Sequence, residues 1–165
     1  MKRRHLLMGG VAAVGLGACT QSKFRQYHGP QITGIVVNKG EREMFLLHNG
    51  KVIEDYKIDL GFAPIGDKFY DGDGRTPEGT YLIARRNPNS QFHLSLGISY
   101  PNARDRAKAA KLGKPPGGDI FIHGNTTGFR TGKKDWTWGC IAVSNREMED
   151  VYAMVRNGTP IQINP

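Results

Sequence analysis

Cysteine is nearly absent from this chain. Cys19 and Cys140 are the only two in 165 residues, which excludes a disulfide framework as the source of stability. Long apolar runs are missing too: the stretch 6–18 falls short of the about 20 residues that a membrane-spanning helix needs. Acidic side chains are in deficit, 15 against 23 Lys and Arg, for a formal net charge of +8. Setting aside Lys2, Arg3 and Arg4 lowers this by three to +5, a balance that suits anionic partners or a plain solvated surface. Zinc-finger spacing, an aromatic RNA-binding motif and a basic helix are all lacking, which argues against a nucleic-acid partner. No repeat and no low-complexity segment is present. Hydrophobic residues make up 38% of the chain in short runs, enough for one core, and Gly 22 with Pro 9 points to many turns and short strands.

The first eighteen residues read as a processing signal. Lys2, Arg3 and Arg4 form a positive n-region, 6–18 has the length and flanks of a signal-peptide h-region, and Leu16-Gly17-Ala18-Cys19 places small residues before a cysteine. This resembles the bacterial lipobox, in which the cysteine is lipidated and becomes the mature N-terminus. The bland alternative is an ordinary secretory signal with a chance cysteine, and Arg3-Arg4 leaves the choice between general and twin-arginine export open. With Cys19 carrying lipid, Cys140 has no intramolecular disulfide partner. A leftover cysteine in an exported chain is a reactive thiol, an intermolecular bridge or an inert buried side chain.

Residues 19–31 read as a tether with little core-forming content, and the domain as 32–165. Strands are expected at 32–38, 44–48, 51–58, 79–85, 91–98, 119–123, 139–143 and 159–163. Asn49-Gly50 between two apolar runs is a hairpin signal, because both residues tolerate positive φ. A Gly/Asp-rich loop spans 61–79 and a polar, Gly-rich loop 124–138. Helices are expected at 103–111, which is rich in Ala, Lys and Arg, and at 144–157. The second has Ser144 and Glu147 as a capping box, Met148, Val151, Tyr152 and Val155 at helical spacing, and Gly158 as the stop. The expected fold is mainly β, a folded sheet or sandwich with one or two short helices.

Chemistry concentrates in Phe121-Ile122-His123-Gly124 and in Asp135-Trp136-Thr137-Trp138-Gly139-Cys140-Ile141. Two strand ends joined by a loop can bring an imidazole beside a thiol, which it then deprotonates or holds as a thiolate. Gly139 leaves room for a substrate backbone, and the amides of Gly139 and Cys140 can point at an oxyanion. The alternatives are a structural histidine and a core cysteine. Asp71-Gly72-Asp73-Gly74 resembles the start of a calcium loop but fails the longer pattern at Arg75 and Pro77, so no metal and no cofactor is expected.

These residues together resemble the L,D-transpeptidase catalytic domain family, also called YkuD-type. Its signature is a His-Gly, a spacer, then Ser/Thr-x-Gly-Cys and an aliphatic residue. Here His123-Gly124 and Thr137-Trp138-Gly139-Cys140-Ile141 supply it, and Thr76-Pro77-Glu78-Gly79 resembles the family's turn into a strand. The resemblance implies a mostly β catalytic domain acting on peptidoglycan peptide stems. Cys140 would be the nucleophile forming a thioester and His123 the general acid and base. Gly124, Trp136, Thr137 and Trp138 are lesser candidates for the substrate cleft, and His93 and Tyr100 for its lining. Trp138 and Ala142 depart from the family pattern, which leaves transfer to an amine and hydrolysis both open. A short branch of the family is linked to cutting the bond between murein and a lipoprotein, so a murein-linked lipoprotein is a further candidate partner. The expected location is the periplasm, lipid-anchored through Cys19, with Thr20 favouring the outer membrane.

Overall fold

The computed structural model describes residues 22–125 and 134–165. The expected leader, Cys19 and the centre of the 124–138 loop lie outside them. In chain order the elements are β1 (Gly34–Asn38), β2 (Glu43–His48), β3 (Lys51–Lys57), β4 (Gly79–Asn87), β5 (Ser95–Ile98), α1 (Ala103–Lys111), β6 (Phe121–His123), β7 (Ile141–Ala142), α2 (Asn145–Met154) and β8 (Pro160–Asn164). The strands form one sheet in the order β3-β2-β1-β8-β4-β5-β6-β7. β1 and β8 run parallel, as do β6 and β7, and the other pairs are antiparallel. The mainly β architecture expected from the sequence is therefore what is found.

Curvature enters at β4. Its first half pairs with β8, its second half pairs with β5, and the register shifts between Ile83 and Arg85. Such an irregularity bends and twists a strand. The sheet curls around a core in which alternate residues face inward: Ile35 and Val37 from β1, Met44 and Leu46 from β2, Tyr81 and Ile83 from β4, Ile161 and Ile163 from β8. β5 is buried along its whole length. α2 covers β5 and β6 and adds Met148, Val151 and Tyr152 to the core. At the far edge, Asn49 and Gly50 take φ values of 49° and 80°, the positive pair that the hairpin chemistry requires.

Both helices start as their sequences dictate. Asn102 and Asp105 cap α1 reciprocally, and Ser144 and Glu147 do the same for α2. The end of α2 differs from expectation. Helical spacing continues to Val155, yet Val155 is extended and fully buried, and Gly158 lies in the turn that leads to β8. Arg86 explains the early stop, because its guanidinium lies over the Tyr152 ring and takes the carbonyls of Tyr152 and Val155. The expected strand 91–98 is also shorter. The Asn87 side chain accepts from the Asn89 amide and Ser90 Oγ from the Phe92 amide, local bonds that compete with the ladder.

The segment expected to act as a tether lies against the domain. Residues 23, 25 and 27 are half-buried while 22, 24 and 26 are exposed, the alternation of an extended strap with one face inward.

Ser144→Ala removes the hydroxyl that accepts from the Glu147 amide at 3.3 Å. We expect a loss of about 1 kcal/mol in urea unfolding, with Ser144→Asp losing much less. Equal midpoints for wild type and Ser144→Ala would show that the start of α2 does not contribute to the cooperative unit.

Candidate active site

β6 and β7 are paired so that Ile122 opposes Ile141 and His123 opposes Ala142. The two isoleucines are buried in the core, so residues one step away on each strand turn to the opposite face. His123 and, at the entry to β7, Cys140 therefore share a face. Both line one cavity of about 530 Å³, with Asp119, Phe121, Phe92 and Ser95 among its other walls.

The thiol is held by backbone groups. Cys140 Sγ accepts from the Phe121 amide at 3.4 Å and donates to the Asp119 carbonyl at 3.5 Å. Asp119 takes a φ of 53°, a left-handed conformation costing about 1–3 kcal/mol that clusters at functional sites. Burial pushes the thiol pKa up to about 11, the Phe121 amide pulls it down and the Asp119 carboxylate raises it further.

His123 is 3% exposed, and its Nδ1 lies 2.6 Å from the Gly124 carbonyl. A carbonyl can only accept, so Nδ1 carries the proton and the neutral ring presents Nε2 as a base. Burial lowers the imidazole pKa, partly offset by the Gly124 carbonyl. The ring is walled by Phe92, whose centroid is 4.5 Å away, and by Trp136 at 5.6 Å. Thiol and imidazole thus both rest neutral at pH 7, an arrangement for general-base deprotonation rather than a stored ion pair.

The turn that presents Cys140 is built on close backbone contact. Gly139 has φ 116°, and a methyl there would lie 2.5 Å from the Arg75 carbonyl. A methyl on Gly61 would strike the Gly74 carbonyl and lie 2.9 Å from Gly139 Cα. Loop 61–79 therefore braces the turn that carries Cys140, backbone against backbone. That loop is organised by Asp73, whose carboxylate accepts from the amides of Phe69, Tyr70 and Arg75 and pairs with the buried Lys68 ammonium at 2.9 Å. The segment that resembled a calcium loop thus receives its positive charge from within the chain.

Comparison with known proteins decides the family. The L,D-transpeptidase catalytic domain (YkuD) profile matches residues 32–163. The chain belongs to that family. It is 28% identical over 107 residues to YafK of Escherichia coli (strain K12), which carries the L,D-transpeptidase name as a provisional assignment. That match covers 64% of this chain but 38% of YafK. Among solved structures it is similar to Pgp2 of Campylobacter jejuni, a helical cell shape determining protein, at 27% identity and TM-score 0.63, covering 83% of this chain and 49% of that one. Bd1075 of Bdellovibrio bacteriovorus follows at 25% identity and TM-score 0.57, covering 81% and 48%. The chain thus spans about half the length of these solved relatives, or less in the case of YafK. An Enterococcus faecium L,D-transpeptidase shares the fold at 16% identity and TM-score 0.53, covering 81% and 50%.

Within this L,D-transpeptidase domain, His123 and Cys140 line one cavity, whereas several of the neighbouring residues expected in a cleft lie elsewhere. Thr137 is 3% exposed and faces no cleft: its hydroxyl donates to the Cys140 carbonyl at 2.8 Å and accepts from the Gly139 amide at 3.2 Å. The Gly139 amide is therefore already engaged, whereas the Cys140 amide makes no hydrogen bond among the described residues. Gly124 is buried behind the histidine and orients it through its carbonyl. Trp136 walls the imidazole and lines a second cavity with Arg42 and Asp135. Trp138 is 72% exposed and packs edge-on against Phe62, outside the Cys140 cavity. Tyr100 is spent on the Pro116 carbonyl, and His93 pairs with Glu149. Phe92, Ser95 and Asp119 were not singled out from the sequence. The only local hint was the Gly117-Gly118 pair ahead of Asp119 and β6.

Because the thiol pKa is raised, alkylation of Cys140 by iodoacetamide should climb about tenfold per pH unit from neutrality and bend only near about 11. A rate plateau beginning below pH 8 would reveal a preformed thiolate–imidazolium pair and contradict the neutral resting state.

Proposed function

We propose that the chain is a cysteine acyl transferase of the L,D-transpeptidase type that acts on the peptide stems of peptidoglycan through a thioester on Cys140. The observation that carries this reading is the shared cavity: one face of the β6–β7 pair brings a buried neutral imidazole and a partly exposed thiol to the same opening. Similarity over most of the chain to Pgp2, a cell shape determining protein, supports the cell wall as substrate.

In this mechanism His123 Nε2 takes the thiol proton as Sγ adds to the carbonyl that joins the stem's diamino acid to the following D-residue. The Cys140 amide stabilises the oxyanion. Collapse breaks the C–N bond, and the imidazolium gives its proton to the departing amine. An incoming amine, deprotonated by His123, then displaces Sγ, which recovers its proton from the imidazolium, and transfer is complete. Water in its place gives hydrolysis, the second reading; Ala142, where the family pattern has a polar residue, leaves the acceptor open between amine and water. A murein-linked lipoprotein is the candidate substrate for that hydrolysis. We further propose export to the periplasm with lipid attachment at Cys19 and retention at the outer membrane, supported by the Leu16-Gly17-Ala18-Cys19 sequence and by Thr20. Loss of palmitate labelling in Cys19→Ala is the expected outcome.

Cys140→Ala should lower turnover of purified murein on the order of 10⁴-fold or more while leaving the thermal transition in place. Wild type should gain a carbapenem adduct on Cys140, seen by intact mass. Incubation of murein with and without an added amine separates the two readings: new amide links mean transfer, and released fragments alone mean hydrolysis. Undiminished turnover in Cys140→Ala ends both.

A further inference from the structure

Residues 22–31 precede the family domain, yet they reach the wall of the catalytic cavity. Lys23 Nζ donates to the Pro88 carbonyl at 2.7 Å and to the His93 carbonyl at 3.0 Å. It thereby closes a cationic clamp across both ends of the 88–93 loop, of which Asn89, Ser90, Gln91 and Phe92 line the cavity. Two residues on, Arg25 pairs with Glu149 at 2.8 Å and with Asp150 at 2.6 Å on α2. The other Glu149 oxygen lies 2.9 Å from His93 Nε2. Strap, loop and helix are thus tied at one carboxylate.

The loop needs holding at that point. His93 has φ 72°, and the Leu94 amide donates to the Phe92 carbonyl at 2.9 Å, two residues back. That combination is the rare, strained form of the three-residue turn, occupied here by a residue with a branching ring rather than by glycine. Strained conformations persist only where the surroundings over-determine them. The surroundings in this case are Lys23 on the His93 carbonyl and Glu149 on its ring. The turn matters because its first residue, Phe92, lies against the His123 ring. Its last, Leu94, accepts from the amide of Gly124, whose own carbonyl orients His123.

We propose that Lys23 and Arg25 are positioning residues of the catalytic cavity, clamping the strained Phe92–His93–Leu94 turn so that Phe92 and Gly124 hold the His123 imidazole. The inference takes His123 as the base and so rests on the reading above. It makes the segment upstream of the domain part of the active site rather than a passive connection.

The test uses the full chain. Lys23→Met should speed amide hydrogen exchange of residues 89–94 about tenfold and leave β1 and β8 unchanged. Phe92 and Trp136 keep water from His123, and the other ionisable groups lining its cavity are Asp119 and Cys140. A loosened wall should therefore rehydrate the ring and move its NMR titration up toward the ordinary imidazole value. Lys23→Arg, which keeps a donor of similar reach, should restore both readouts, and Lys111→Met on exposed α1 should disturb neither. Wild-type exchange and titration in Lys23→Met would overturn the inference. So would faster exchange spread evenly through β1 and β8, which would make the strap a general stabiliser. Neither readout needs murein, so a chain inert on cell wall with the expected exchange pattern would end the functional reading and leave the clamp standing.

Discussion

The active-site face depends on the register of one short parallel pair. Ile122 against Ile141 drives β6 and β7 into the core, and the pleat then delivers His123 and Cys140 together to the opposite face. Because side chains alternate with a period of two, a slip of one residue in either strand would turn its catalytic group into the hydrophobic interior. Neither strand is long enough to enforce this alone. β5 on one side and the bridge between Asp59 and Ala142 on the other complete the pairing of β6 and β7.

Around that register the chain surrounds a small polar centre with backbone contacts. Gly61 and Gly139 allow two loops to touch main chain to main chain beside Cys140, and Thr137 staples the same turn from within. Lys68 and Asp73 order the bracing loop at the expense of burying a charge pair, which is tolerable because three amides also satisfy the carboxylate. On the other side, the 88–93 loop and Trp136 keep the imidazole dry. Dryness has opposite effects on the two partners: it raises the thiol pKa and lowers that of the imidazole. Both shifts favour the uncharged pair.

Much of this architecture was legible residue by residue. The Asn49-Gly50 hairpin, the Ser144/Glu147 cap and the alternating apolar strands are local features, decided by backbone sterics and by satisfaction of nearby amides. The pairing of a His-Gly with a Gly-Cys was equally readable as a motif. Its supporting residues were not. Phe92 and Ser95 reach the cavity from one segment and Asp119 from another, and only the glycine pair before Asp119 hints locally at an opening. Thr137 and Gly124 drew attention because they adjoin the motif, but their neighbours in space turned them into buried supports. The early end of α2 at Val155 depends on Arg86, which lies far away in sequence.

The amino-acid sequence by itself determined the element types, the class of fold, the family and the His-Gly and Gly-Cys motifs that carry His123 and Cys140, because each is written in short-range pattern. Tertiary structure alone decided the face those two side chains share, their neutral resting state, the unbonded Cys140 amide and the docking of Lys23 and Arg25 beside the cavity wall. Those properties follow from burial and from contacts between distant segments, and neither quantity exists until the sheet has curled.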